Sequence, residues 1–192
     1  MKQILVLAAV IGVLGATEAR AQDRGGVRFG YNAATLSTEE AGFDPKTRSG
    51  FVVGFFGVLP VSGVFAVQPE FLYSQQGAKV EDGSDEATLK LDYVQIPVLA
   101  RVRLGSHSPA HLLVGPSFGF RTRAETEFNG ETMDFKDEVK GTDVGFVTGI
   151  MVNAGMFVLD GRYTWGLMNI SKGDDPDTVK NRVFAVSAGI RF

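Results

Sequence analysis

The stretch Asn181 to Phe192 constrains this chain more than any other: Phe184, Val186, Ala188, Ile190 and Phe192 alternate with Val183, Ala185, Ser187, Gly189 and Arg191. A period of two sends the two sets to opposite faces of a strand. One face is apolar and ends on an aromatic at the final residue, while the other is mostly small or polar. Such a strand fits a closed sheet whose outer face meets lipid.

The other end of the chain sets the compartment. Met1-Lys2 is a short basic start, Ile4 to Leu14 is an apolar run of 11 residues, and Ala19-Arg20-Ala21 is a small-residue cleavage site. This pattern predicts a signal peptide over 1–21, cut after Ala21, and a barrel domain over 22–192. A membrane-spanning helix needs roughly 20 apolar residues, so the run is too short for an anchor. The chain has no cysteine, which excludes disulfides, thiolate metal sites and anchoring through a lipidated cysteine. An exported chain without disulfides draws its stability from a packed core or from backbone hydrogen bonds sealed in lipid. Cleavage removes Lys2, Glu18 and Arg20, leaving 17 basic against 21 acidic residues, a net of −4 that gives no reason to expect nucleic acid as a partner.

Within 22–192 period-two alternation recurs eight times. The predicted strands are Gly26 to Leu36, Ser49 to Leu59, Val64 to Gln75, Thr88 to Leu104, Ala110 to Arg123, Asp143 to Val152, Met156 to Leu167 and Asn181 to Phe192. The connections alternate in length. Pro60 to Gly63, Gly105 to Pro109 and Asn153 to Gly155 are short, whereas Ser37 to Arg48, Gln76 to Ala87, Ala124 to Thr142 and Met168 to Lys180 are long and polar. That asymmetry predicts an all-β fold, an eight-stranded antiparallel up-and-down transmembrane β-barrel with short periplasmic turns and long extracellular loops.

The faces follow from energy. A Lys or Arg facing lipid at the bilayer midplane costs about 2–4 kcal/mol, so the strand arginines are expected to point inward. That places Arg28, Asn32, Gln68, Glu70, Gln95, Leu99, Arg101, Arg103, Arg121, Asp160, Arg162, Thr164 and Arg191 inside. Val27, Phe29, Tyr31, Phe65, Val67, Phe71, Tyr73, Val94, Ile96, Val98, Leu159, Tyr163 and Trp165 then fall outside. The barrel is apolar outside and polar inside, the inverse of a soluble lipocalin-like barrel. Tyr31, Phe51, Phe71, Tyr73, Phe118, Phe120, Tyr163, Trp165 and Phe192 stand toward strand ends, where interfacial girdles belong. Glycines such as Gly30, Gly54, Gly149 and Gly189 fall at inward positions and leave room for long arginines in a sharply curved wall.

The segment Tyr93-Val94-Gln95-Ile96-Pro97-Val98-Leu99-Ala100-Arg101-Val102 is similar to the mid-domain strand of the PorT-like outer-membrane β-barrel domain family. Val114 to Gly119, Asp143-Val144-Gly145 with Gly149, Arg162 to Leu167 and Arg191-Phe192 resemble later parts of the same pattern, in order, over almost the whole mature chain. The resemblance implies an eight-stranded barrel in a Gram-negative outer membrane. It also implies insertion by the barrel-assembly machinery, with the aromatic strand ending on Phe192 as the assembly signal. It implies no catalytic residues, and its link to protein secretion has no counterpart singled out here.

The inward set Arg28, Gln68, Glu70, Gln95, Arg101, Arg103, Arg121, Asp160, Arg162 and Arg191 forms either a salt-bridged structural core or the lining of a narrow gated channel. An eight-stranded interior is only just wide enough for its own side chains, which favours the core. A catalytic Ser-His arrangement from Ser106, His107, Ser108 and His111 lacks a visible third group and oxyanion hole, so no enzyme is expected. No cofactor is implied. Gly173-Asp174-Asp175-Pro176-Asp177 and the group Glu81, Asp82, Asp85 and Glu86 carry oxygen donors suited to hard cations. Their spacing matches no calcium loop, and solvated loop tips are the simpler reading, so no metal site is assigned. The expected partners are outer-membrane lipid, lipopolysaccharide met through divalent cations, the assembly machinery, and a protein partner at the extracellular loops. The third long loop is expected either to rise as a hairpin turning at Asn129-Gly130 or to close the barrel top. A structural or surface-interaction role in the envelope is the leading reading, with a narrow channel or a component of a secretion apparatus as the alternative.

Overall fold

The terminal strand pairs along its whole length with the first one, from Gly26 opposite Arg191 to Ser37 opposite Lys180. That pairing closes the sheet. The computed structural model describes residues 25–38, 45–82, 85–128, 130–172 and 178–192. The expected signal peptide, with Ala19 and Ala21, and the acidic residues Asp174, Asp175 and Asp177 lie outside the described residues.

Eight long strands form the wall: β1 (Gly25–Ser37), β2 (Lys46–Gly57), β4 (Phe65–Asp82), β5 (Asp85–Arg103), β6 (Ala110–Phe128), β8 (Thr142–Ala154), β9 (Phe157–Gly166) and β10 (Lys180–Arg191). Two short strands, β3 (Leu59–Ser62) and β7 (Glu131–Asp134), pair antiparallel with β4 and β6 respectively. Each wall strand runs antiparallel to its neighbours, and β2 pairs with β4 past the β3 corner, so the eight close into a barrel. Closure gives every wall strand a partner on both sides, which is what allows a sheet to sit in hydrocarbon. Gly155, at φ +61, makes the tight turn between β8 and β9, a conformation that glycine adopts without steric cost.

The outer face is apolar. Phe29 is 63% exposed and Leu159 56%, and they stand among Phe55, Phe71, Phe118, Ile150, Phe184 and Val186, all exposed. Aromatic rings meet across neighbouring strands, with Phe29 to Phe51 at 6.2 Å, Phe51 to Tyr73 at 5.7 Å and Phe146 to Trp165 at 6.4 Å between centroids. The Tyr31 hydroxyl shares a 2.7 Å hydrogen bond with Ser49 Oγ near the long-loop end. These amphipathic rings are of the kind that settle at a membrane interface.

Two expectations need correction. The stretch 76–87 is mainly ladder, since β4 and β5 pair out to Asp82 opposite Asp85. β6 runs on to Phe128, as the hairpin reading of the third long loop expects. Backbone pairing continues whether the side chains meet lipid or water, so the ladder outlasts the apolar alternation that marks the membrane band. The interior is also less uniformly polar than expected. Phe56, Leu99, Leu113, Val147, Met151 and Val158 form a buried apolar cluster on the inner wall.

Candidate functional site

Alternation on β1, β4 and β9 brings Arg28, Glu70, Asp160 and Arg162 to the centre of the lumen, where all four are buried. Arg162 donates from Nη1 to Glu70 Oε2 at 2.7 Å and from Nε to Asp160 Oδ1 at 2.9 Å. Arg28 reaches Asp160 Oδ1 at 3.0 Å and Glu70 Oε2 at 3.3 Å. Two guanidiniums and two carboxylates make a neutral set, and each charge has partners of opposite sign. Buried charges are tolerated only when paired and hydrogen-bonded in this way. β4 and β9 are not neighbours in the barrel, so the Arg162–Glu70 pair crosses the lumen. Glycine makes the room. A Cβ added at Gly149 would lie 2.7 Å from Arg162 Cβ, and one at Gly30 would lie 2.4 Å from Ser187 Cβ.

Two further groups lock the carboxylates. Gln68 donates to Glu70 Oε1 at 2.7 Å, and Ser187 donates to Asp160 Oδ2 at 2.7 Å. Arg101 joins at the edge, donating to Gln68 Oε1 at 3.2 Å. Of the ten inward polar residues named from the sequence, the network therefore joins Arg28, Gln68, Glu70, Arg101, Asp160 and Arg162. Gln95 lines a small internal cavity of about 20 Å³ with Asn32, Ser74 and Arg162. Arg103 is exposed at the short-turn end and reaches the Ser106 carbonyl at 3.5 Å. Arg191 holds the Gly155 carbonyl in the β8–β9 turn. Arg121 stands higher on β6, apart from the network. Phe192 is exposed, and its N–H donates to the Gly25 carbonyl at 3.0 Å.

A second polar group was legible from the sequence only in Asn32. Asn32 donates to Ser74 Oγ at 2.9 Å, Gln76 donates to the same oxygen at 3.0 Å, and Arg48 holds the Gln76 carbonyl. Asp92 accepts from Tyr73 at 2.8 Å and from Arg48 at 3.4 Å. Higher still, Asn181 donates to Asp143 Oδ2 at 2.8 Å and to the Tyr93 hydroxyl at 3.3 Å. Ser187, Asn181 and Asp143 lie on the inward set of their strands, so a search for hydroxyls and amides as well as charges would have found them. Asp92 carries no such signal. It sits beside a bulge on β6, where Asp92 pairs with Arg123 but the next residue, Tyr93, pairs with Arg121.

The two mouths of the lumen differ. At the long-loop end Leu36, Ala78, Leu91, Tyr93 and Ala124 pack with Val139 and Ile170 from the connections above. A bridge between Val139 and Ser171 and the 2.7 Å bond from Lys140 N to the Ile170 carbonyl tie those connections together. The third long loop does both things expected of it. Phe128 pairs with Glu131 in a hairpin that turns through Gly130 at φ +83, and the returning chain then closes the top. At the short-turn end a cavity of about 340 Å³ opens, lined in part by Arg101, Arg103, His107 and His111. There the His111 Nδ1 lies 3.0 Å from the Pro109 carbonyl, and Ser108 Oγ accepts from the Ala110 N–H at 3.1 Å. Both contacts shape the turn. Among the described residues no three His, Asp or Glu side chains gather as a metal-ligating group.

A family described as outer membrane protein beta-barrel domain matches residues 21–172. Comparison with curated proteins found no significant match. Among solved structures the chain is similar to Ail, the attachment invasion locus protein of Yersinia pestis, with 19% identity and a TM-score of 0.53 over 90% of this chain and 100% of that one. Ail has also been solved in complex with the heparin analogue sucrose octasulfate, and that structure aligns with a TM-score of 0.52, 19% identity and the same coverage. Neisserial surface protein A aligns with 14% identity and a TM-score of 0.54 over 88% of this chain and 97% of that one. These likenesses establish a small closed outer-membrane barrel.

Proposed function

The chain belongs to the outer membrane protein beta-barrel domain family, and on that premise we propose a non-enzymatic, non-conducting barrel of the Gram-negative outer membrane whose working surface is its extracellular hairpins. The observation that carries this reading is the cross-lumen pairing of Arg162 with Glu70, braced by Arg28 and Asp160 and backed by the apolar cluster around Leu113 and Met151. An ion crossing the barrel meets paired charges whose separation is costly, and apolar side chains that offer it no oxygen. Reconstitution in planar bilayers tests this. Silence is expected. Stable unitary conductance that changes in Glu70→Gln would overturn the reading in favour of a channel.

The surface role rests on the β4–β5 and β6–β7 hairpins, which rise beyond the aromatic band. Along the first, Glu81 sits opposite Glu86 and Asp82 opposite Asp85 in the ladder. The acidic sequence of this stretch supports contact with lipopolysaccharide through bridging divalent cations. Along the second, Met133 is 64% exposed on a short strand that, among the described residues, pairs with β6 alone, a suitable place for a protein partner. Ail, which shares the fold, bears the name of an attachment protein, and a surface-contact role here is an analogy of fold alone. The motif order from Tyr93 to Leu167 supports a place among PorT-like barrels. A cleaved signal over 1–21 and recognition of the Phe192 strand by the assembly machinery complete the proposal. Crosslinking from cysteines placed at Thr132 and Met133 in whole cells is expected to capture an envelope partner, whereas the same cysteines placed at Ser106 should not.

A further inference from the structure

The cavity at the periplasmic mouth differs in charge from the rest of the lumen. Arg101, Arg103 and Arg191 line it together with His107 and His111, and among the described residues no Asp or Glu does. Arg101 is only 5% exposed, and its hydrogen bond goes to the neutral amide of Gln68. Among the described residues no carboxylate pairs with Arg101 or Arg103. The nearby network has none to spare, because Glu70 and Asp160 are each shared by Arg28 and Arg162. A buried guanidinium without a counter-charge is costly. An anion entering from the periplasm relieves that cost.

We infer that this vestibule binds a phosphate-class oxyanion, with Arg101 at the floor and Arg103 at the rim. The planar guanidinium fork matches two oxygens of a tetrahedral oxyanion, and its charge survives at any physiological pH. The volume of about 340 Å³ exceeds the need of a bare ion and falls within the roughly 300–1,000 Å³ of small-molecule pockets. One wall is apolar, from Val58, Pro60, Val64 and Phe65, and Phe65 itself is 52% exposed on the outer face. A phosphoryl group carrying an apolar tail therefore fits as well as a free one. The same oxyanion chemistry has two sources, the headgroup of an anionic phospholipid in the periplasmic leaflet or a soluble phosphate.

The test is equilibrium binding of radiolabelled inorganic phosphate to the folded mature chain in nanodiscs, with chloride holding ionic strength constant. In phosphatidylcholine discs saturable binding is expected. Arg101→Gln and Arg103→Gln should each weaken it about tenfold or more, the loss of one charge-assisted hydrogen bond. Arg123→Gln, on the extracellular side, should leave it unchanged. Arg103 is exposed, so its variant keeps the fold and decides the matter even if Arg101→Gln does not fold. Repeating the titration in phosphatidylglycerol discs separates the sources. Loss of phosphate binding there identifies the lipid headgroup as occupant, and unchanged binding identifies a soluble phosphate. Absence of saturable binding in phosphatidylcholine discs, or binding indifferent to Arg103→Gln, overturns the site.

Discussion

At the extracellular mouth Leu91, Tyr93 and Ala124 of the wall are covered by Val139 and Ile170, while at the periplasmic mouth Arg101, Arg103 and Arg191 surround an open cavity of about 340 Å³. The difference follows from connection length. The long connections can fold back over the lumen and exclude water from it, so apolar side chains gather beneath them. The short turns, such as the one at Gly155, cannot reach across. That end stays open to water, which reaches the exposed Arg103 but not the buried Arg101. Between the two mouths lies the neutral Arg28, Glu70, Asp160 and Arg162 set, which needs neither a cover nor water.

Removing the centre should cost most. Glu70→Ala leaves Arg28 and Arg162 facing each other with one fewer carboxylate, and is expected to destabilise the barrel by about 3–5 kcal/mol. The shift of the urea midpoint, read from the folded and unfolded bands of unboiled samples on a gel, measures it. Opening the upper cover comes next. Ile170 is 2% exposed, and Ile170→Ala is expected to cost about 2–3 kcal/mol in the same assay, because the connection can partly collapse into the gap. If the loss is no larger than that of a surface change, the cover does not hold the mouth shut.

Gly149→Ala tests the room around Arg162. The added methyl meets the Arg162 side chain and the Gly161 carbonyl, and about 1–2 kcal/mol of overpacking is expected. The smallest effect concerns the exposed β6–β7 hairpin. The hydrogen bond from Arg123 holds Glu125 below the ordinary carboxylate range, and Lys136 does the same for Asp134. Since these folded values are depressed, the pairs act at neutral pH, and their contribution is lost as the pH falls through the lowered values. Lower amide-exchange protection factors at Phe128 and Glu131 in acid, with those of the wall strands unchanged, are the expected outcome.

Face assignment was legible wherever one side of a strand was plainly polar. Arg28 on β1, Glu70 on β4 and Asp160 and Arg162 on β9 could be placed inside by the cost of facing lipid, and the structure brings them into contact. Around Leu113 on β6 and from Val147 to Met151 on β8 both faces are apolar. The inner cluster of Leu113, Val147 and Met151 therefore has no signature that separates it from lipid-facing Phe118, Phe146 and Ile150. The height of the β4–β5 hairpin was hidden for a related reason, since above the membrane a strand no longer has to alternate. Asp92 was invisible because a single extra residue on β6 shifts the pairing beside it. The terminal strand, by contrast, shows in the structure the alternation it shows in the sequence, with Phe184, Val186, Ala188 and Ile190 outside and Val183, Ala185 and Ser187 buried.

The seam between β1 and β10 makes assembly a matter of timing. Its partners, Gly26 with Arg191 at one end and Ser37 with Lys180 at the other, are separated by most of the chain. A polypeptide delivered from its N-terminus exposes one raw edge of β1 until everything else has arrived, and such an edge is a template for the wrong neighbour. Something must occupy that edge during the wait, or the strands must be kept apart until β10 is present. A chain cut short before β10 would keep two such edges for good, so its expected fate is aggregation or proteolysis rather than a smaller barrel.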